Sequence, residues 1–166
     1  MALYKIWNGP MPTTAAQLAV TTGTAIKTLL QIKPFNLVKV VAWGISFDGA
    51  AGAAGIQCEL LSTGTIFATV TASVDADIAK QQGLDPAVAS IAGLTLGTTA
   101  TGYTASAEGA IVASKIFDSQ FVQPTGQYAW EFSLGREPYI AIGDSGRVRV
   151  KAAAAVNALA WMLLEI

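Results

Sequence analysis

The segment Gly143-Asp144-Ser145-Gly146 has the make-up of a serine nucleophile loop. Such a serine needs an imidazole to take its proton. The 166-residue chain has no His, so that partner is missing throughout. The commonest zinc ligand and the usual general base at neutral pH are missing with it. Gly, Asp and Ser are also turn formers, and the segment reads as a tight turn between strands. Gly23-Thr24-Ala25-Ile26-Lys27-Thr28 approaches a phosphate loop, but Lys27 follows Ile26 where that loop requires Gly. Asp75 and Asp77 are two carboxylates only, too few for a hard-cation site; they read as acids in the first turn of a helix. Cys58, the single Cys, sits in the alternating Ile56-Gln57-Cys58-Glu59-Leu60 and reads as a small buried hydrophobe. These residues point to a protein that is not an enzyme and takes neither cofactor nor metal.

Hydrophobic residues make up 52% of the chain and charged residues 13%, against about 25% charged in an average globular chain. A surface so short of charge suggests burial between subunits. The net charge is −1 and no basic run exists, so no nucleic-acid partner is expected. Arg147, Arg149 and Lys151 alternate and read as the wet face of a strand. One Cys cannot close an internal disulfide, so no oxidising compartment is implied. No charged segment followed by a long apolar run opens the chain, so no secretory signal is read. No stretch reaches the ~18 apolar residues of a membrane span, so no membrane partner is expected. The product is expected to stay in the cytoplasm where it is made unless it leaves on a particle.

The elements that would carry such a surface are strands. Residues 1–22 read as an extended N-terminal arm, because Pro10 and Pro12 remove backbone donors and favour edge geometry. Residues 23–166 then read as one β-sandwich domain. Its candidate strands are Lys27–Lys33, Val38–Phe47, Ile56–Leu61, Ile66–Thr71, Ala110–Phe117, Gln127–Leu134, Tyr139–Ile142, Arg147–Lys151 and Asn157–Ile166. Period-two alternation puts Val41, Trp43, Ile45 and Phe47 on one face, and Tyr128, Trp130, Phe132 and Leu134 on another. Trp43, Phe47, Trp130, Phe132 and Val148 are the expected core. The last strand is apolar on both faces, which requires a central position or a covering partner. Residues 72–106 read as a long insertion with helical pieces, one from Asp75 to Gln82 closed by Gly83 and one from Asp85-Pro86 to Ile91. Strands separated by Gly, Pro and Asp turns give an all-β class: an antiparallel, jelly-roll-like sandwich with an arm and a long, partly helical insertion.

Four segments together carry a resemblance. They are Thr22-Gly23-Thr24-Ala25-Ile26-Lys27-Thr28-Leu29-Leu30-Gln31; Val41-Ala42-Trp43-Gly44-Ile45-Ser46-Phe47-Asp48-Gly49; Phe132-Ser133-Leu134-Gly135-Arg136-Glu137-Pro138; and Arg147-Val148-Arg149-Val150-Lys151-Ala152 running into Ala155-Val156-Asn157 and Trp161 to Glu165. In order and over nearly the whole chain, they resemble a family of small structural proteins of tailed phages and prophages. Residues 72–106 depart from it. The resemblance implies a β-sandwich that assembles as a homotrimer on the capsid exterior, with the major capsid protein as partner and the virion as location. The expected work is that of a decoration, or cement, protein that bridges capsomers. A carbohydrate-binding or host-adhesion module of a head or tail fibre is the alternative, with Tyr103 the only aromatic in the insertion. The residues expected to contact the shell or a neighbouring subunit are Leu3, Tyr4, Ile6, Trp7, Pro10 and Pro12 of the arm, with Trp7 as anchor. Arg136 and Glu137 join them, as a pair bridging strands or subunits.

Overall fold

The computed structural model describes residues 2–50, 53–86 and 93–166. They form strands β1 (Leu3–Trp7), β2 (Val20–Thr21), β3 (Lys27–Ile32), β4 (Val38–Phe47), β5 (Ile56–Ser62), β6 (Thr69–Ala72), β7 (Ile78–Lys80), β8 (Gly102–Ala107), β9 (Lys115–Val122), β10 (Gln127–Glu131), β11 (Tyr139–Ile140), β12 (Gly146–Lys151) and β13 (Asn157–Glu165). A seven-stranded sheet runs β10-β4-β13-β1-β7, with β11 added on β4 and β2 on β13. A six-stranded sheet runs β6-β8-β3-β12-β5-β9. Every described pairing is antiparallel. The all-β class and the two antiparallel sheets are as the alternation predicts.

The core lies between the sheets. The seven-stranded sheet contributes Tyr4, Ile6, Val38, Val40, Trp43, Ile45, Ala160, Met162 and Leu164; the six-stranded sheet contributes Leu30, Ile32, Ile56, Cys58, Leu60, Val148 and Val150. One bulge sets the phase of β4. Leu163 pairs with Ala42 but Leu164 pairs with Val40, which leaves Val41 as an extra residue. An extra residue in a period-two strand exchanges the faces. Val38 and Val40 point inward before the bulge, and Trp43, Ile45 and Phe47 after it. Val41 is therefore not on the inward face to which simple alternation assigned it.

Residues 1–22 are not a free arm. β1 lies inside the seven-stranded sheet, between β13 and β7, with Tyr4 opposite Leu164 on one side and Lys80 on the other. The physical signal was present: Tyr4 and Ile6 alternate with Leu3, Lys5 and Trp7, and the prolines come only after the strand ends. β2 also pairs with β13, so the segment belongs to the sandwich.

The insertion is not helical among the described residues. Asp75–Asp77 is one 3-10 turn, in which the Asp77 carboxylate accepts the Val74 N–H at 2.9 Å. The chain then leaves helical geometry because Ile78–Lys80 gains a strand partner, the open edge of β1. Gly102–Ala107, read as loop, is β8 and pairs with β3 and β6. The helix expected from Asp85-Pro86 to Ile91 falls largely on residues 87–92, outside the described residues.

Candidate interaction surface

The expected contact residues of the N-terminal segment separate into three groups. Tyr4 and Ile6 are fully buried between the sheets, and the Tyr4 hydroxyl donates to the Pro86 carbonyl at 2.7 Å. They cannot meet a partner. Leu3 and Trp7 stand on the outward face of the same strand, half-buried. Pro10 and Pro12 are exposed in the connection between β1 and β2, which also exposes Thr13 to Ala16 and Leu18.

Arg136 and Glu137 make no ion pair with one another within the chain. Arg136 is exposed in the turn made by Gly135, whose φ is +80°. Glu137 is 5% exposed, and its Oε2 has no hydrogen-bond partner. Among the described residues the ion pairs are Lys39–Glu165 at 3.1 Å, Arg147–Glu108 at 3.5 Å and Arg149–Glu59 at 2.7 Å.

The residues weighed for chemistry have structural work. Ser145 is fully buried, and its Oγ lies 2.8 Å from the Thr63 hydroxyl. Asp144 N–H donates to the Ala141 carbonyl, closing the turn around Gly143. Burial pushes the Cys58 thiol up to about 12, so it stays protonated and unreactive at neutral pH. Among the described residues no cluster of three metal-ligating side chains occurs.

Arg147 is not on a wet face. It is fully buried, because residues 63–68 fold over the outside of the six-stranded sheet. Its guanidinium donates to the carbonyls of Ile66 and Glu108. The Glu108 carboxylate in turn accepts from the Thr28 hydroxyl at 2.6 Å. Gln31, also buried, donates to the Ala68 carbonyl and accepts from the Ala68 N–H. Over β3, β5 and β12 the outer side of this sheet is closed by the chain's own loop and by the Arg149–Glu59 pair, while β9 leaves Ile116 and Phe121 exposed on it.

The outer side of the seven-stranded sheet is different. β13 turns Ala158, Ala160, Met162 and Leu164 inward, all fully buried, and Leu159, Trp161 and Leu163 outward, half-buried. β1 adds Leu3, Lys5 and Trp7. Trp7 and Trp161 are directly opposed. The Trp161 ring rests on Gly44, where a Cβ would lie 2.6 Å from its Cζ2. The Lys5 ammonium sits 3.9 Å from the Trp161 ring centroid and 5.2 Å from that of Trp7, a cation–π arrangement. Loss of solvation lowers the Lys5 pKa. The two-sided apolarity of the last strand was the sequence signal for this face. The parts played by Lys5 and Gly44 depend on strand order, which local alternation does not encode.

Comparison of the chain with known protein families, curated proteins and solved structures finds no match. The case for function therefore rests on the chain's own surface. Tyr103, the aromatic weighed for sugar binding, is half-buried in β8 opposite Leu30. Trp161 is held between Gly44 and Lys5. Trp130 and Tyr139, on the same sheet as Trp161, are the more exposed rings there.

Proposed function

We propose that this chain is a structural protein of a tailed-phage virion, a jelly-roll-like sandwich that binds the outside of the capsid and stabilises it by bridging capsomers. The observation that supports the reading is the outward face of β1 and β13. A sheet with water on one side ordinarily alternates apolar-in and polar-out. Here Leu3, Trp7, Leu159, Trp161 and Leu163 face away from the core. A contiguous apolar face of this kind marks a protein contact. The proposed mechanism is mechanical. Surface buried across neighbouring capsomers must be re-exposed before the shell opens, and binding shifts the shell toward whichever state holds the protein more tightly. The partners are the major capsid protein and further copies of this chain.

With Tyr4 and Ile6 inside the sandwich, the attachment element moves to the exposed connection from Pro10 to Leu18. It carries the two prolines, which limit the entropy lost when an extended segment docks. The test mixes purified protein with undecorated shells and reads occupancy by sedimentation. Replacing residues 11–18 with a Gly-Ser linker is expected to leave the thermal midpoint nearly unchanged and to weaken shell binding at least about tenfold. Unchanged occupancy would remove the connection from the mechanism, and no binding by the wild-type chain would remove the capsid reading itself.

A further inference from the structure

The outward face of the seven-stranded sheet is complementary to itself, and we infer that two copies of this chain pair through it about a two-fold axis lying along the boundary between β4 and β13. The inference deepens the proposed function by assigning the self-contact, and rests on it only in taking the chain to work in several copies.

Register and charge make the face self-complementary. Four residues form one row across the face. Glu131 of β10 is opposite Ala42 of β4, Ala42 is opposite Leu163 of β13, and Leu163 is opposite Lys5 of β1. Three strand spacings separate the row's ends, about 14 Å, so Lys5 and Glu131 do not reach one another within the chain. A two-fold axis in the plane of the face, between β4 and β13, carries β1 over β10 of the second copy and β13 over β4. Lys5 of each copy, swung off the Trp161 ring that its ammonium caps in the single chain, then meets Glu131 of the other. Lys39 and Glu165 are opposed across the same boundary, so in the pair each also faces its opposite charge. On β10, β4, β13 and β1 the outward charged residues are Lys5, Lys39, Glu131 and Glu165, and the axis matches all four.

Size and shape agree. β4 and β13 run about 30 Å, β1 and β10 about 17 Å, and the four with their side chains span about 20 Å, roughly 470 Å² in projection. Side-chain relief raises this toward the ~800 Å² per partner of a standard contact, the low end of the range for a specific pair. Trp7 and Trp161 lie in the row next to that of Lys5 and Glu131, so the aromatic anchors adjoin the matched charges on one side. With the Trp161 ring laid on Gly44, the centre is flat enough for aligned sheet-on-sheet packing, which keeps strand directions within about 30°. A three-fold ring needs two different patches that fit one another. A face that fits itself gives a pair, in place of the trimer that the resemblance implies.

The test is a charge swap on the full chain. Sedimentation velocity at micromolar concentration is expected to show a dimer. Lys5→Glu and Glu131→Lys each set like charges at both contacts, and each alone is expected to weaken the dimer at least about tenfold. An equimolar mixture of the two variants is expected to give a heterodimer in native mass spectrometry, because both contacts are then matched, and the double variant is expected to recover the homodimer. Circular dichroism and thermal midpoints verify that each variant is folded. A wild-type trimer or monomer overturns the inference, as do single variants that dimerise like wild type. Shell binding, read on the same proteins, separates the two readings. Monomers that bind shells end the pairing and keep the decoration role; dimers that ignore shells do the reverse.

Discussion

The side chain of Asn8 takes the place of backbone opposite Ala160. Its Oδ1 accepts the Ala160 N–H at 3.0 Å, while its Nδ2 donates to the Ala158 carbonyl at 2.9 Å and its own N–H donates to the Ala160 carbonyl at 3.0 Å. β1 ends at Trp7, so without Asn8 the ladder along β13 would stop inside the protein. Asn8 is fully buried, and water cannot replace these bonds at no cost. Asn8→Ala leaves a buried N–H and a buried C=O unpaired and is expected to cost at least about 2 kcal/mol, since each such group costs about 1–3. Urea unfolding measures it; a loss under about 0.5 kcal/mol would mean that the site re-pairs. Deleting residues 2–8 is expected to abolish cooperative folding altogether, since it removes an interior strand.

Trp43 and Trp130 make a second comparison. They are directly opposed, on β4 and β10, and alternation correctly puts them on one side of the sheet. Their burial differs completely. Trp43 is fully buried, with its Nε1 donating to Asp118 at 3.1 Å, whereas Trp130 is 50% exposed. β10 is the outermost strand, and its side chains overhang the sandwich. Trp43→Ala is expected to cost about 3–5 kcal/mol and Trp130→Ala about 1. Equal costs in urea unfolding would show that something covers Trp130 in solution.

That pair also marks how far the sequence can be read. Period-two alternation gives the class, and β4 and β12 fall where it places them, while β10 ends at Glu131, short of the expected Leu134. It fails where information is not local. Strand order decides that Trp130 overhangs and that β1 is interior. The bulge at Val41 shifts phase without any Gly or Pro to announce it. Ile78–Lys80 has the composition of a helix and becomes a strand only because β1 offers an edge. The same limit applies to the contact surface. Leu159, Trp161 and Leu163 were legible as an apolar second face. That Lys5 shares a row with Glu131 is not, because three pairings between distant segments bring them there. The burial of Arg147 depends on residues 63–68 crossing the sheet, which alternation on β12 cannot reveal.

Alkaline pH probes the interior through its raised acids. Burial, and then the charge of Glu59, push the Cys58 thiol from 9.0 up to about 12. Burial, and then the hydrogen bond to Asp118 and that residue's charge, push the Tyr128 phenol from 10.0 up to about 12. In the unfolded chain both groups lose their protons at ordinary values. Between those values and about 12 the native state therefore holds more protons than the unfolded state, and stability falls as pH rises. Their stabilising effect is complete below pH 9 for Cys58 and below pH 10 for Tyr128, and is lost on approach to about pH 12. Arg147 acts in the opposite sense, because burial lowers it to about 10 and the unfolded state holds its proton longer. That opposing effect begins only above about pH 10. In the window from about pH 9 to about pH 10 the thiol is the group that costs stability, on the order of 1 kcal/mol per pH unit, against a smaller opposite effect from Lys5, whose pKa burial lowers. Urea midpoints across that window are expected to fall for the wild-type chain and to stay nearly level for Cys58→Ala, whatever that variant loses at neutral pH. Parallel slopes for the two proteins would mean that Cys58 ionises in the folded state as freely as in the unfolded one.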